Sequence, residues 1–509
     1  MKLGNASKPP NILIILTDQQ RQFRHWPEGW AEKNLPSFGR LAKNGLTFER
    51  AFTNACMCAP SRATLWTSLF PSETNVRSTN GNALSPGMLT LGQVLTSAGY
   101  QVGYCGKWHL QGYEVPEAEM TGDSLTRYGF GRWNPPDAGD SLTEFETLGA
   151  GKHNNDARYL GTVSGSAENP PGVIDSGPSM IKFLQTVDRS KPFCLIACFV
   201  NPHDIFVAPF RCEEAGYDPS QWKDLPIPVP GTWDENLTTK PRVQAEYKNT
   251  LQLPNTPNVS TWSDADRKAY VQFYAYLQQV VDRDIMTLLD TVDSEGFTDN
   301  TLIFRMADHG EMALSHGLLE KTYNAYDETI NVPLIISNPQ LFPSPVVTRE
   351  LAGHIDLLPT VASVAGVLDQ YKHKFKGIDL SPLFTAPDQS LQEAIHFTFD
   401  DKGMEPLIKI SSDTPRYIRA LRTKDWLYAA YYGYTKGGPV FDYELYDLEN
   451  DPDEKINLAH PVHSTPESKQ KLRDMNTQLI KAMYTYGTTP RGFDWPKVPD
   501  VTPAEQARP

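Results

Sequence analysis

The feature that most constrains this chain is the alternation of short apolar runs with stretches of helical pattern. The runs at 12–16 and 193–200 are continuously apolar, as strands buried on both faces of a sheet are. Shorter runs at 102–105, 301–304 and 333–336 repeat the pattern. The alternation therefore predicts an α/β fold, with a large, mostly parallel mixed sheet sandwiched by helices.

The predicted helices between these runs have recognisable ends. The segment 36–44 begins with proline and stops before Gly45, and the segment 89–98 stops before Gly99. Ser263, with Asp266 three positions on, predicts the cap of a long helix that reaches about residue 295. Apolar residues repeat along that helix with a period close to 3.6, which predicts one buried face.

Two regions depart from the alternation. Residues 205–258 are rich in proline and polar residues and predict a long loop over one edge of the sheet. Beyond residue 383, four runs predict short antiparallel strands, followed by a final helix; they lie at 394–399, 417–423, 426–432, 443–448 and, for the helix, 467–484. We therefore predict an α/β domain over 1–385 and a smaller α+β domain with an antiparallel sheet and a tail over 386–509.

Composition excludes several classes of function. Lys and Arg total 47 against 61 Asp and Glu, so the formal charge is −14 and general nucleic-acid binding, which needs a basic face, is disfavoured. No apolar run approaches the roughly 20 residues that span a bilayer, and the first ten residues lack a signal-peptide core. We expect a cytoplasmic protein without membrane contact. Six cysteines without two CxxC pairs indicate neither a disulfide framework nor a structural zinc site.

Titratable residues follow the apolar runs at the points where the strands should end. Asp18 and Gln19 follow the first run, while the later runs lead to Lys107 with His109, to His203, and to Asp308 with His309. Ligands of open α/β sheets bind outside the carboxyl ends of the strands. Each residue alone is as well explained by a turn, a cap or an ordinary surface position. All of them at one predicted edge indicate a site.

The residue types at this edge indicate a metal and an oxyanion. Asp18, Gln19, Asp308 and His309 offer oxygen ligands and one imidazole, which suit Ca²⁺, Mg²⁺ or Mn²⁺ better than zinc. The remaining groups are cations or proton donors, namely Arg62, Lys107, His109, His203 and Lys321. A metal together with cations suits a tetrahedral oxyanion whose charge moves during transfer. Sulfate and phosphate esters are therefore the candidate substrates.

Cys58 has two interpretations when it is considered alone. It precedes a predicted helix at 61–69, whose N-terminus would stabilise a thiolate, or it is a buried and inert cysteine. The string CAPSR at 58–62, however, matches the C-x-P-S-R core motif of the type I sulfatases. Cys56 lacks a proline two residues later and is outside this frame.

The chain resembles that family, the formylglycine-dependent sulfatases of the alkaline phosphatase superfamily, in six blocks that occur in order. Besides CAPSR these are the first strand with Asp18 and Gln19, the GKWH string at 106–109, the NPH string at 201–203, the DHG string at 308–310 with Lys321, and the LYDL string at 445–448. The resemblance covers most of the chain. It implies an arylsulfatase- or choline-sulfatase-like hydrolase of sulfate monoesters.

The resemblance also implies the roles of individual residues. A maturation enzyme would oxidise Cys58 to formylglycine, whose hydrate attacks sulfur with one hydroxyl and expels sulfate through the other. The ion, for which we expect Ca²⁺ with Mn²⁺ and Mg²⁺ as alternatives, would be held by Asp18, Gln19, Asp308, His309 and modified Cys58. Arg62 would bind the nucleophile. Lys107, Lys321, His203 and Asn80 would contact the substrate, and His109 would take the proton of the second hydroxyl.

Two departures from the family pattern stand out. The motif often continues to Thr-Gly, whereas this chain has Thr67 and Ser68, which bears on how completely formylglycine forms. Many members carry Asp-Asp where this chain has Asp18 and Gln19, which leaves the site less negative.

Two alternative functions share parts of this pattern. A phosphonate monoester or phosphodiester hydrolase of the same superfamily shares the metal pairs, but such enzymes generally lack the Lys-x-His pair that this chain has at Lys107 and His109. A binding protein that has lost its chemistry should lack a nucleophile or a ligand, and none is missing. The identity of the sulfate ester stays open, as does a homo-oligomer, for which the Pro-rich tail from Thr488 could reach a neighbouring copy.

Overall fold

The computed structural model describes residues 9–79, 81–112, 121–132, 134–135, 137, 147–162, 178–253, 256–402 and 405–499. The strands are β1 Asn11–Asp18, β2 Gly45–Phe48, β3 Ala51–Phe52, β4 Ala55–Cys56, β5 Gln101–Gly106, β6 Phe193–Pro202, β7 Thr301–Ala307, β8 Leu334–Ser337, β9 Val346–Thr348, β10 Ala352–Gly353, β11 Ala394–Phe399, β12 Tyr417–Thr423, β13 Trp426–Thr435 and β14 Gly438–Asp447.

A seven-stranded mixed sheet forms the centre of the α/β part, in the order β5-β6-β1-β7-β8-β2-β9. The four strands β5, β6, β1 and β7 are parallel, and β8 runs antiparallel to both β7 and β2. Every residue of β1, β6 and β7 is buried, which explains the apolar runs at 12–16, 193–200 and 301–304 within them. The predicted fold class is confirmed.

Helices cover both faces of this sheet. They are α1 Trp30–Asn34, α2 Pro36–Lys43, α3 Cys58–Thr67, α4 Pro71–Thr74, α5 Leu91–Ser97, α6 Asn155–Leu160, α7 Met180–Thr186, α8 Arg242–Thr250, α9 Asp264–Ser294, α10 Asp327–Ile330, α11 Leu357–Val364 and α12 Leu368–Tyr371. The last helix, α13 Pro466–Tyr486, belongs instead to the second sheet. The predicted cap of α9 is confirmed: Ser263 and Asp266 form a reciprocal capping box. No helix in the described ranges is long and apolar enough to cross a membrane.

The second sheet is antiparallel over β11 to β14, as the sequence predicts, with α13 packed against it. Its fifth strand comes from elsewhere in the chain, because β4 pairs in parallel with β11. This pairing joins the segment directly before Cys58 to the C-terminal sheet. The domain boundary near residue 385 stays a prediction.

Two predictions about segments need correction. Residues 205–258 are more than a loop, since they contain α8, two short 3-10 helices at 219–221 and 237–239, and the end of a third, at 203–207. The helix predicted at 61–69 begins three residues earlier, so Cys58 is its first residue and Met57 its N-cap. The proline at 60 is favourable in a first helical turn, where its missing N–H is not needed.

Candidate active site

The polar residues predicted to lie at one edge of the sheet do converge there. Parallel strands β5, β6, β1 and β7 deliver Lys107, His203, Asp18 and Asp308 from their carboxyl ends. Helix α3 begins above the same edge and brings Cys58 to it. The parallel order of these strands is the reason that residues so distant in sequence meet.

Four side chains at this edge form a group that could hold a metal ion. One ligand atom from each of Asp18, Cys58, Asp308 and His309 lies within 4.8 Å of the other three, and all four residues are buried. Cys58 Sγ lies 3.0 Å from His309 Nε2 and 3.6 Å from Asp18 Oδ1. Two carboxylates, an imidazole and one further donor suit a divalent cation.

Arg62 braces the two carboxylates of this group. Its Nε donates to Asp308 Oδ2 at 3.0 Å and its second terminal nitrogen lies 3.1 Å from Asp18 Oδ2. The remaining nitrogen donates to the carbonyl of Lys107 at 2.7 Å, so all three guanidinium nitrogens are engaged. Lys107 Nζ lies 2.6 Å from Asp18 Oδ2. Burial raises the pKa of Asp18, but Lys107 and the other nearby cations outweigh it and hold that pKa well below its ordinary value.

The environment of Cys58 excludes a stabilised thiolate, so the first of the two interpretations is wrong for the unmodified residue. Burial, followed by the charge of Asp18, raises the pKa of the thiol to about 12. The helix N-terminus contributes too little to offset a buried carboxylate at 3.6 Å. With this raised pKa, unmodified Cys58 is a protonated thiol at neutral pH.

Gln19 and Lys321 occupy the side of the site next to Asp308. The backbone N–H of Gln19 donates to Asp308 Oδ1 at 3.0 Å, and Lys321 Nζ donates to Gln19 Oε1 at 2.6 Å. Burial lowers the pKa of Lys321, but the adjacent Glu320 carboxylate outweighs it, and the pKa stays well above its ordinary value. Lys321 is therefore a fixed cation. In this structure the amide oxygen of Gln19 faces the Lys321 ammonium group. The role of Gln19 as a metal ligand stays a prediction.

His109 and His203 complete the site. Neither ring nitrogen of His109, nor Nδ1 of His203, has a hydrogen-bond partner among the residues that the structure describes. Burial, and next the charge of Lys107, lower the pKa of both rings well below the ordinary value. Both imidazoles are therefore neutral at pH 7. Phe206 packs against the ring of His203, with centroids 5.4 Å apart.

One predicted site residue, Asn80, lies outside the described residues. Three acidic residues near the site were given no role from the sequence. Glu311 and Glu320 contact Gln19, and Asp137 accepts the backbone N–H of Trp108 at 3.0 Å and of His109 at 2.6 Å. The first two adjoin predicted site residues in sequence, which is a usable signal. Nothing in the sequence distinguishes Asp137.

The family comparison bears directly on this geometry. The family model described as Sulfatase matches residues 10–367, and the model described as N-sulphoglucosamine sulphohydrolase, C-terminal, matches residues 315–484. The chain belongs to the sulfatase family. It is a sulfuric ester hydrolase of the alkaline phosphatase superfamily. Members of the sulfatase family in general use formylglycine and a divalent metal.

Named relatives align with this sulfatase along most of its length. A Δ4,5-hexuronate-2-O-sulfatase of Bacteroides thetaiotaomicron is 26% identical, over 90% of this chain and 86% of the relative. A choline-sulfatase of Rhizobium meliloti is 27% identical, over 88% of this chain and 82% of the relative.

Solved structures share the fold of this sulfatase. A 2-O GAG sulfatase superposes with a TM-score of 0.71 at 24% identity, covering 94% of this chain and 93% of that one. A phosphonate monoester hydrolase of Agrobacterium radiobacter gives a TM-score of 0.66 at 20% identity, covering 94% and 96% of the two chains. At these identities the structural likeness establishes the fold alone, and the sulfatase assignment comes from the family model.

Proposed function

We propose that this sulfatase hydrolyses sulfate monoesters through a formylglycine made from Cys58 and a divalent ion, most simply Ca²⁺, held between Asp18 and Asp308. The observation that carries the proposal is the buried group of Asp18, Cys58, Asp308 and His309, whose ligand atoms lie within 4.8 Å of one another. The nucleophile position is thus part of the metal-donor group. This arrangement is what a formylglycine that shares the ion requires.

The donor set fits a hard divalent ion. Asp18 and Asp308 supply carboxylate oxygens, His309 supplies Nε2, and the oxygen of a modified Cys58 would replace sulfur, which is the least suitable donor for calcium. When bound, the ion would supply a Lewis acid for the sulfate group, and hydrated formylglycine would supply the hydroxyl that attacks sulfur. Arg62, through its contacts with both carboxylates, would keep them in place for the ion.

The surrounding cations and imidazoles suit the two halves of the reaction. Lys107 and Lys321 are buried cations for the non-bridging sulfate oxygens, whose charge changes during transfer. The neutral ring of His109 can accept the proton of the second hydroxyl as the aldehyde reforms and sulfate departs. His203 can donate an N–H to the bridging oxygen as the S–O bond breaks. We therefore propose His109 for the proton of the second hydroxyl and His203 for the hydrogen bond to the leaving oxygen.

Lys107 and His109 favour sulfate over phosphonate, since phosphonate monoester hydrolases generally lack this pair. The relatives include a Δ4,5-hexuronate-2-O-sulfatase and a choline-sulfatase, so we propose sulfate monoesters as the substrate class. An aryl sulfate is the natural first assay substrate. Its kcat/KM should exceed that of a phosphonate monoester with the same leaving group, and the reverse order would assign the chain to the alternative function.

The nucleophile can be tested by mass and by substitution. Conversion of Cys58 to formylglycine exchanges sulfur and two hydrogens for one oxygen, which intact-mass spectrometry detects. Cys58→Ala should abolish turnover with the fold intact, whereas Cys56→Ala, which lies outside the modification frame, is the matched control and should retain it. Hydrolysis by Cys58→Ala near the wild-type rate would refute the mechanism.

A further inference from the structure

A buried hydrogen-bonded network adjoins the metal-donor group on the side of Lys321. The amide nitrogen of Gln19 donates to Glu311 Oε2 at 2.5 Å and to Glu320 Oε2 at 3.0 Å, while its amide oxygen accepts from Lys321 Nζ at 2.6 Å. Lys321 also donates to Glu320 Oε2 at 2.9 Å. The most exposed of the four residues, Glu320, has 7% of its surface accessible.

Charge on both sides fixes the orientation of the Gln19 amide. Only its NH₂ group can face two carboxylates, and only its oxygen can face an ammonium group. The nearer carboxylate is itself immobilised, because Glu311 Oε1 accepts from Tyr270 Oη at 3.0 Å and from the backbone N–H groups of Ala313 and Glu320, both at 2.9 Å. The orientation of Gln19 is therefore imposed by a rigid partner.

We propose that Glu311 and Glu320 are positioning residues, which orient the Gln19 amide, hold the Lys321 ammonium at the sulfate side of the site, and require a neutral amide at position 19. This inference rests on the proposed function, in which Lys321 binds sulfate. A carboxylate at position 19 would face Glu311 and Glu320 at contact distance in a buried pocket, so that three carboxylates would share one lysine.

The network predicts a complementary exchange. In Glu311→Gln, the amide oxygen of the new side chain can take the place of Oε1 and accept from the same three donors. Its NH₂ group then takes the place of Oε2 and faces the NH₂ group of Gln19. Gln19→Glu alone creates the opposite conflict, oxygen against oxygen. The double variant Gln19→Glu/Glu311→Gln restores a donor facing an acceptor and keeps the total charge of the native pair.

Each single variant should lower kcat/KM on an aryl sulfate by about 10–100-fold, the usual effect of residues that orient a metal or anion ligand. Each should also lower the melting temperature of the metal-free protein. The double variant should recover part of both losses. Additive losses in the double variant, or single variants that match the wild type, would overturn the proposal.

A separate variant tests the link to Lys321 without the exchange. Glu320→Gln should raise KM for the ester and the inhibition constant for inorganic sulfate together, by about 10–100-fold, because the sulfate-binding cation is loosened. The matched control is Glu444→Gln, a buried carboxylate far along the chain that accepts from Tyr431 Oη at 2.7 Å and from Gln244 Nε2 at 2.9 Å. It should change neither constant, and an equal effect of both variants would overturn the proposal.

The outcomes distinguish this inference from the proposed function. If the proposed function were wrong, the wild type would lack turnover of sulfate monoesters, but the melting temperatures of the metal-free variants would still follow the exchange pattern. If only the positioning role were wrong, the wild type would be active and the exchange would recover nothing.

Discussion

Arg62→Met tests how the charges of the site are balanced. The Arg62 guanidinium is fully buried between two carboxylates, 3.0 Å from Asp308 and 3.1 Å from Asp18. Removing one partner of a buried ion pair costs about 3–5 kcal/mol, because the other charge is left without compensation. Asp18 keeps Lys107 at 2.6 Å and Asp308 keeps two backbone N–H groups. The lower end, about 3 kcal/mol, is therefore expected for the metal-free protein.

A divalent ion should compensate for the lost guanidinium. An ion present at 100 times its dissociation constant stabilises the folded state by about 2.7 kcal/mol, which is close to the expected loss. Since the two carboxylates no longer share their charge with Arg62, the variant should bind the ion more tightly than the wild type does. Thermal unfolding with and without Ca²⁺ should therefore show a larger calcium-induced shift for Arg62→Met.

The control for this experiment is Arg419→Met. Arg419 is also buried and pairs with both oxygens of Asp400, at 2.8 and 3.0 Å, but it belongs to the C-terminal sheet. It should lose comparable stability while its calcium-induced shift equals that of the wild type. A calcium-induced shift of Arg62→Met no larger than that of the wild type, or metal-free stability unchanged by the substitution, would refute the reasoning.

Three further predictions concern metal, leaving group and pH. Asp308→Ala should lose both the bound ion and activity, and elemental analysis that finds stoichiometric zinc, or an active protein without metal, would contradict the site. His203→Ala should steepen the plot of log rate against leaving-group pKa, since a hydrogen bond from its neutral imidazole to the departing oxygen matters most for basic leaving groups; parallel lines for variant and wild type would remove His203 from this role. His396 is buried in the C-terminal sheet, where burial lowers its pKa to about 3. The folded state therefore stays neutral while the unfolded state binds a proton below pH 6.5, so stability is full above pH 6.5 and falls by about 1.4 kcal/mol per pH unit as pH drops towards 3. Chemical denaturation at pH 7 and pH 5 should show that His396→Gln loses about 2 kcal/mol less than the wild type over this interval, and identical pH dependence would contradict the assignment.

The elements that the sequence predicted best are those whose cause is local. Ser263 and Asp266 specify the start of α9 because a capping box needs only residues three apart. The buried strands β1 and β6 could be predicted because each contains a continuous apolar run. Asp18 and His203 could be assigned to a common site because the carboxyl ends of parallel strands share one edge, whichever order the strands take.

Contacts across the fold were decided only by tertiary structure. The parallel pairing of β4 with β11 connects segments that are far apart in the sequence. Strand β4 has only two residues, too few for a recognisable strand pattern. The amide of Gln19 contacts Glu311 and Glu320 because the loop after β7 folds back over the end of β1. The spacing of these residues in the sequence does not predict this contact. The protonation state of Cys58 could not be predicted from the sequence either. The sequence places it at a helix start, where a thiolate is favoured, but the burial and the neighbouring Asp18 that keep the thiol protonated exist only in the folded chain.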